Sequence, residues 1–161
     1  MVKSLLLSVN GPVMGSVSLP GSKSEINRLL IASFAFRKKI KIKNIGFCDD
    51  TMSLIRVLKS LGCEIEINKA ERSLLIDGRN AMTRKKSVNV CGAGTSARFM
   101  TAVLSAIGGR YIIDGNKQMR ERPMLDLANA LMSLGVKIAY LKSKGHLPIR
   151  IESEGFKNDF V

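Results

Sequence analysis

Displaced by 73 residues, this sequence aligns with itself without a gap. Val17 meets Val90, Gly21 meets Gly94 and Ile40 meets Ile113. Leu54 meets Leu127, Leu58 meets Leu131, and Ser60-Leu61-Gly62 meets Ser133-Leu134-Gly135. Ile65 meets Ile138, and Ile76 meets Ile149. Glycines and apolar residues recur, and these fix turns and cores. The repeat limits the chain to two copies of one supersecondary unit, each about 70 residues long, stacked on each other. The 161 residues leave room for little else. A chain of this size buries roughly 70 % of the surface its unfolded form exposes, so it needs no disulfide or metal to fold.

Each unit reads as strand, helix, strand, helix, strand, strand, with units at about 16–78 and 89–151. In the first, Gly15 to Leu19 alternates as a strand and Pro20-Gly21-Ser22 breaks it. Ile26, Leu29, Leu30 and Ser33 recur at helical spacing, giving a helix from about Ser24 to Phe36. Lys39 to Ile45 alternates Lys and Ile, as a half-buried strand does. Asp49 or Asp50 can cap a helix that carries Leu54, Ile55, Leu58 and Leu61 and stops at Gly62. Glu64 to Ile67 and Ser73 to Ile76 form a hairpin. The second unit runs as strand Val88 to Val90, turn Gly92-Ala93-Gly94, helix Ser96 to Ile107 and strand Tyr111 to Ile113. Helix Met124 to Leu134 and a hairpin of Val136 to Tyr140 with Leu147 to Ile151 close it. Arg84-Lys85-Lys86 falls in the link between units and reads as a solvated loop. The fold class is α/β (α+β), built from repeated βαβαββ units.

Several classes are excluded. No apolar run approaches the ~18 residues of a membrane span. Val2 to Val9 is too short for a signal-peptide core and runs into Asn10 and Gly11, so it reads as a first β-strand. Cys48, Cys63 and Cys91 are odd in number and lack CxxC spacing. They read as buried or half-buried thiols of a cytoplasmic protein. The single histidine, His146, lies between Gly145 and Pro148 as a surface turn residue and cannot build a metal site. Neither a metal nor a cofactor is expected. With 26 Lys and Arg against 13 Asp and Glu, the net charge is +13 and the natural partner is an anion. Aromatics are only 5 % and Trp is absent, which argues against a base-stacking nucleic-acid platform.

The chemistry concentrates where a glycine turn opens onto a helix. Pro20-Gly21-Ser22-Lys23-Ser24 does so in the first unit and Gly92-Ala93-Gly94-Thr95-Ser96 in the second. Glycine lets backbone approach a ligand, and the unpaired N–H groups and dipole of a helix N-terminus favour negative charge. Ser24 and Arg28 are four apart, and Thr95 and Arg98 three apart, so each turn has a hydroxyl and an arginine on one helix face. Arginine grips phosphate or carboxylate with two parallel bonds. The Walker A spacing and the dinucleotide fingerprint are both missing. A third segment, Met119-Arg120-Glu121-Arg122-Pro123, precedes the second helix of unit two in the same layer.

Together these segments resemble the EPSP synthase (3-phosphoshikimate 1-carboxyvinyltransferase) family. Pro20 to Ser24 with Asn27-Arg28 is similar to its PGSKS-x-x-NR signature. Gly94-Thr95 with Arg98 is similar to its N-[AS]-G-T-x-x-R motif, and Met119 to Pro123 to its RxRP motif. The related UDP-N-acetylglucosamine enolpyruvyl transferases lack the PGSKS form and are the second choice. A basic nucleic-acid-binding module is the alternative of another class. The resemblance implies an inside-out α/β barrel-like domain, here truncated to two repeats. It implies transfer of the enolpyruvyl group of phosphoenolpyruvate to the 5-hydroxyl of shikimate 3-phosphate. By motif, Lys23, Ser24 and Arg28 would hold shikimate 3-phosphate. Lys23, Gly94 and Arg122 would hold phosphoenolpyruvate, with Thr95 and Arg98 in support. Gly92 stands where the family often has Asn. The resemblance further implies that residues 1–13 belong with an absent second domain and 14–161 form an incomplete first domain. The missing C-terminal part would carry the catalytic acids, so this chain is expected to have no catalytic residue and to be inactive alone. The full-length enzyme would be a monomer that binds neither nucleic acid nor membrane.

Overall fold

The computed structural model describes residues 6, 8, 11–81 and 85–156. The expected strand at Val2 to Val9, apart from Leu6 and Ser8, lies outside the described residues, as do Arg84 and the tail 157–161. The order is α1 (Lys23–Ala35), β1 (Lys39–Ile42), α2 (Asp49–Ser60), β2 (Glu64–Asn68), β3 (Ser73–Asp77), β4 (Lys85–Asn89), α3 (Gly94–Ile107), β5 (Gly109–Asp114), α4 (Lys117–Arg120), α5 (Leu125–Ser133), β6 (Lys137–Tyr140) and β7 (Ile149–Ser153). Two separate sheets form, ordered β1-β3-β2 and β4-β5-β7-β6.

The repeat survives at the level of register. Ile40 lies opposite Ile76 in the antiparallel pair β1/β3, and Ile113 lies opposite Ile149 in β5/β7, each 73 residues on. The outer hairpins differ. Ile65 faces Ile76, whereas Ile138 faces Ile151. This slip is even, so it moves the pairing without turning the apolar residues to water.

Helices α1, α2 and α3 touch one another, and α5 packs on α3. Leu30, Leu54, Leu58, Met100 and Leu104 are fully buried between them. Tyr111 and Ile113 of β5 are buried while Arg110 is exposed, the alternation of a sheet with one wet face. The helices therefore form the inner layer and the sheets face outward. No helix among the described residues is long and apolar enough to cross a membrane.

Several sequence expectations need correction. Gly15 to Leu19 is not a strand: it runs past the domain with Val17 and Leu19 exposed. Its counterpart β4 pairs parallel to β5 and buries Val88, with Val90 buried just after it. The first unit offers Gly15 in place of Val88, and β1, its available edge, is four residues carrying Lys39 and Lys41. Too little apolar surface is gained to close that edge. Lys85 and Lys86 belong to β4 rather than to a link, and the Lys86 ammonium donates to the Ser60 carbonyl. The strand expected to reach Ile45 stops at Ile42, because Asn44 turns the chain at φ 57°. Neither Asp49 nor Asp50 caps α2: Cys48 holds the cap position, and both acids sit in the first turn. Cys48 and Cys91 are exposed, one at that cap and one in a turn at φ 51°. Cys63 alone is buried, and burial pushes its thiol up to about 12. His146 is half-buried, with Nδ1 3.1 Å from the Arg120 carbonyl.

Candidate functional site

The two glycine turns are built differently. At α1, Ser22 is an extended N-cap whose Oγ accepts from the Glu25 N–H at 3.4 Å. The Gly21 N–H donates to the Asn44 carbonyl at 2.8 Å, and a Cβ on Gly21 would stand 2.5 Å from that oxygen. Backbone contact this close admits only glycine. At α3 the cap is Ala93, which has no side chain to offer. The first-turn N–H groups of α3 therefore keep their positive end for an incoming anion.

These turns open on one cleft. It has a volume of about 300 Å³ and is lined by Ser24 and Arg28 of α1 and by Gly94, Thr95, Arg98 and Phe99 of α3. Arg98 bridges its floor and rim, with Nη1 3.4 Å from the Gly94 carbonyl and Nη2 3.0 Å from the Pro123 carbonyl. That second bond ties the 121–124 loop to α3 and brings Arg122 over Gly94. A Cβ on Gly94 would lie 2.7 Å from Arg122 Nη1 and 3.2 Å from Arg98 Nη1.

Lys23 is not among the cleft-lining residues. Its ammonium pairs with Asp50 Oδ2 at 3.0 Å, and the hydrogen bond and charge of Asp50 raise its pKa above the ordinary lysine value. Partial desolvation by its neighbours pushes the Cys48 thiol up. Hydrogen bonds from Thr51 and from the Thr51 and Asp50 backbone outweigh this, leaving its pKa below the usual thiol value.

The Met119–Pro123 segment divides its labour. Met119 is fully buried and anchors it. Arg120 is committed to Asp114, with Nη2 2.5 Å from Oδ2 and Nε 2.8 Å from Oδ1. This bidentate pair lowers the Asp114 pKa and fixes the corner between β5 and α4. Only Arg122 is left for the cleft. The cleft thus combines hydroxyls, an uncapped helix N-terminus and the guanidiniums of Arg28 and Arg98, with Arg122 beside Gly94 though not among the lining residues, a set suited to phosphate and carboxylate oxygens. Among the described residues no group of three His, Cys, Asp or Glu could hold a metal ion.

The sequence reading missed Phe99, Asp114 and Asn116, and it named Asp50 without its pairing to Lys23. Asn116 had a signal: an Asn three residues before Met119, in an N-cap position. Its Oδ1 accepts from the Met119 N–H at 2.9 Å and so starts α4, a helix the periodicity did not reveal. A second groove, of about 310 Å³, crosses the outer face of the second sheet between Lys86, Arg110, Ile112 and Arg150. It shares no lining residue with the cleft.

The family model for EPSP synthase (3-phosphoshikimate 1-carboxyvinyltransferase) matches residues 8–159. The chain belongs to the EPSP synthase family. A 3-phosphoshikimate 1-carboxyvinyltransferase of Opitutus terrae is 37 % identical over 150 residues, covering 91 % of this chain and 35 % of the relative. One of the same name from a Sulfurovum species is 34 % identical over 152 residues, covering 92 % and 36 %. The chain therefore spans about a third of the length of the curated relatives it matches. The solved EPSP synthase of Acinetobacter baumannii superposes with a TM-score of 0.78 at 22 % identity, covering 87 % of this chain and 32 % of that one. That likeness shows the enolpyruvyl transferase fold.

Proposed function

We propose that this chain supplies one wall of an enolpyruvyl-transferase active site, for which phosphoenolpyruvate and shikimate 3-phosphate are the substrates. The single observation that carries the reading is the shared cleft, in which two repeats present equivalent helix N-termini to one anion-sized space. Ser24 and Arg28, with Lys23 beside them, hold the phosphorylated ring. The Gly94 backbone and Arg122 hold phosphoenolpyruvate, again with Lys23, and Thr95 and Arg98 support that pocket. Lys23 reaches both ligands by leaving Asp50, a solvent-exposed pair that costs little to break.

The wall positions and neutralises, which supplies much of a transfer reaction's acceleration. Among the described residues no acid beside the cleft is placed for proton transfer. Glu25 and Glu121 are exposed, Asp49 is exposed in the first turn of α2, and Asp50 is engaged with Lys23. General acid–base catalysis needs a carboxyl or base at the reacting atoms with a suitably shifted pKa. That group comes from polypeptide corresponding to the remaining two thirds of the relatives. On this reading residues 14–156 belong to the first of the enzyme's two domains. The complete enzyme works as a monomer in the cytoplasm.

The test measures phosphate release from phosphoenolpyruvate plus shikimate 3-phosphate by the 161-residue chain, alongside equilibrium binding of each ligand. Binding without turnover is expected, with Arg28→Ala weakening shikimate 3-phosphate more and Arg122→Ala weakening phosphoenolpyruvate more. Turnover that disappears in Lys23→Ala would refute the one-wall reading. Absence of any binding would refute the site.

A further inference from the structure

We propose that Asn116 is a further binding residue of this site, its Nδ2 donating to an oxygen of the phosphoenolpyruvate held at the Gly92–Gly94 turn; the inference rests on the enolpyruvyl-transferase reading above. Gly92 leaves a notch in that turn. The point where its Cβ would stand is 3.0 Å from Asn116 Nδ2 and 3.7 Å from Asn116 Cγ. The carboxamide of a residue 24 positions later in the chain thus occupies the space a side chain at position 92 would take.

That space faces the cleft donors. Ala93 is extended at φ −82° and ψ 97°, so the side-chain directions of its two neighbours fall on one side of the backbone. On that side Gly94 meets Arg122 Nη1 and Arg98 Nη1. Asn116, Arg98 and Arg122 therefore bring N–H groups from three different elements to one stretch of three residues.

The amide is held and half used. The Asn116 backbone N–H donates to the Cys91 carbonyl at 2.9 Å. Gly115, just before it, is pressed so close that a Cβ would be 2.7 Å from that same carbonyl oxygen. Asn116 Oδ1 accepts from the Met119 N–H at 2.9 Å. With the oxygen engaged there, the amide can point only its nitrogen at the turn. Nδ2 donates to no atom among the described residues, so its hydrogens are available to a ligand oxygen.

Capping α4 and donating to a ligand can be separated. Asn116→Ser and Asn116→Asp both keep an oxygen that caps the helix, and both lose the nitrogen donor. Phosphoenolpyruvate, with inorganic phosphate in parallel, is titrated into the 161-residue chain while thermal midpoints are recorded. Both variants are expected to melt like the parent. Asn116→Ser is expected to bind phosphoenolpyruvate about ten-fold more weakly, as loss of a hydrogen bond to a charged oxygen predicts. Asn116→Asp should be weaker still, because it adds a like charge. Gly92→Asn placed on Asn116→Ser should restore the affinity to within about two-fold, by presenting a carboxamide from the other side of the same notch. Unchanged affinity in both Asn116 variants, with Arg122→Ala still losing the ligand, would overturn this inference and leave the site standing. So would a loss that follows a fallen melting midpoint and is not recovered by Gly92→Asn. A parent chain that binds no phosphoenolpyruvate would overturn both.

Discussion

The guanidinium of Arg122 lies across the bare α-carbon of Gly94, so near that a methyl group there would stand 2.7 Å from Nη1. Gly94 has an ordinary negative φ, so alanine meets no backbone strain and only has to push aside the end of a flexible side chain. Alanine also favours a helix over glycine by roughly 0.5–1 kcal/mol. Gly94→Ala is therefore expected to keep or slightly raise the melting temperature. It should weaken phosphoenolpyruvate binding about ten-fold, because Arg122 is moved off its position. Titration calorimetry with a thermal melt checks both; a large drop in stability would mean the turn, not the arginine, was disturbed.

Lys23 and Asp50 hold each other in the absence of ligand, and a ligand has to compete for the ammonium. Removing the acid takes away the competitor and a nearby negative charge. Asp50→Ala is expected to tighten inorganic phosphate binding about three-fold at low salt, less at high salt as screening sets in. Lys23→Ala is expected to weaken it. The double variant should bind like Lys23→Ala alone, since Asp50 acts through Lys23. Independent, additive effects would separate the two residues.

Two carboxylates set the acid limit of stability. The Arg79 guanidinium and backbone N–H hold Asp77 down at about 2, and Arg120 lowers Asp114. A carboxyl whose pKa is depressed on folding contributes stability that is fully present above its unfolded value, near pH 4. That contribution is lost as pH falls through the folded value. Denaturant midpoints are expected to decline between about pH 4 and 2. Asp77→Asn should start lower and decline less over the same window. An equally steep decline in Asp77→Asn would remove Asp77 from the cause.

The residues legible in sequence were those with a period. Gly, Leu and Ile recurring at a shift of 73 residues located both sheets, and Ile40/Ile76 and Ile113/Ile149 pair as the shift requires. Ser24, Arg28, Gly94, Thr95 and Arg98 were found because a helix start and an i, i+3 or i, i+4 spacing are local properties, and the structure brings all five to one cleft. Spacing could not say which arginine of Arg120 and Arg122 is free, because that depends on Asp114 across a corner. Nor could it reveal that Gly15 to Leu19 finds no strand to pair with. That outcome turns on how much apolar surface an edge offers, a tertiary quantity. Among the thiols the same limit holds: burial separates Cys63 from Cys48 and Cys91, and no neighbour in the chain announces it.

Gly78 shows how a residue without any periodic signal can limit stability. It follows β3, donates its N–H to the Lys38 carbonyl at 3.1 Å and lies against the backbone of α1. A Cβ there would be 2.3 Å from the Ser33 carbonyl oxygen, 2.8 Å from the Ser33 carbonyl carbon and 3.0 Å from Phe34 Cα. None of these is the end of a movable side chain. Ser33 is fully buried with its Oγ bonded to the Lys38 carbonyl at 2.6 Å, and Phe34 is in the core. A methyl group must therefore drive the end of the first sheet away from the last turn of α1. Overpacking of this kind costs about 1–3 kcal/mol, and contact with rigid backbone puts Gly78→Ala toward the upper end. For a domain of this size each kcal/mol lowers the melting temperature by about 2–4 °C, so a fall of about 5–10 °C is expected. The shift 73 residues on lands on Ile151, a core strand residue, so the second unit tolerates bulk where the first cannot. A melt of Gly78→Ala within a degree of the parent would show that sheet and helix stand farther apart than this contact requires.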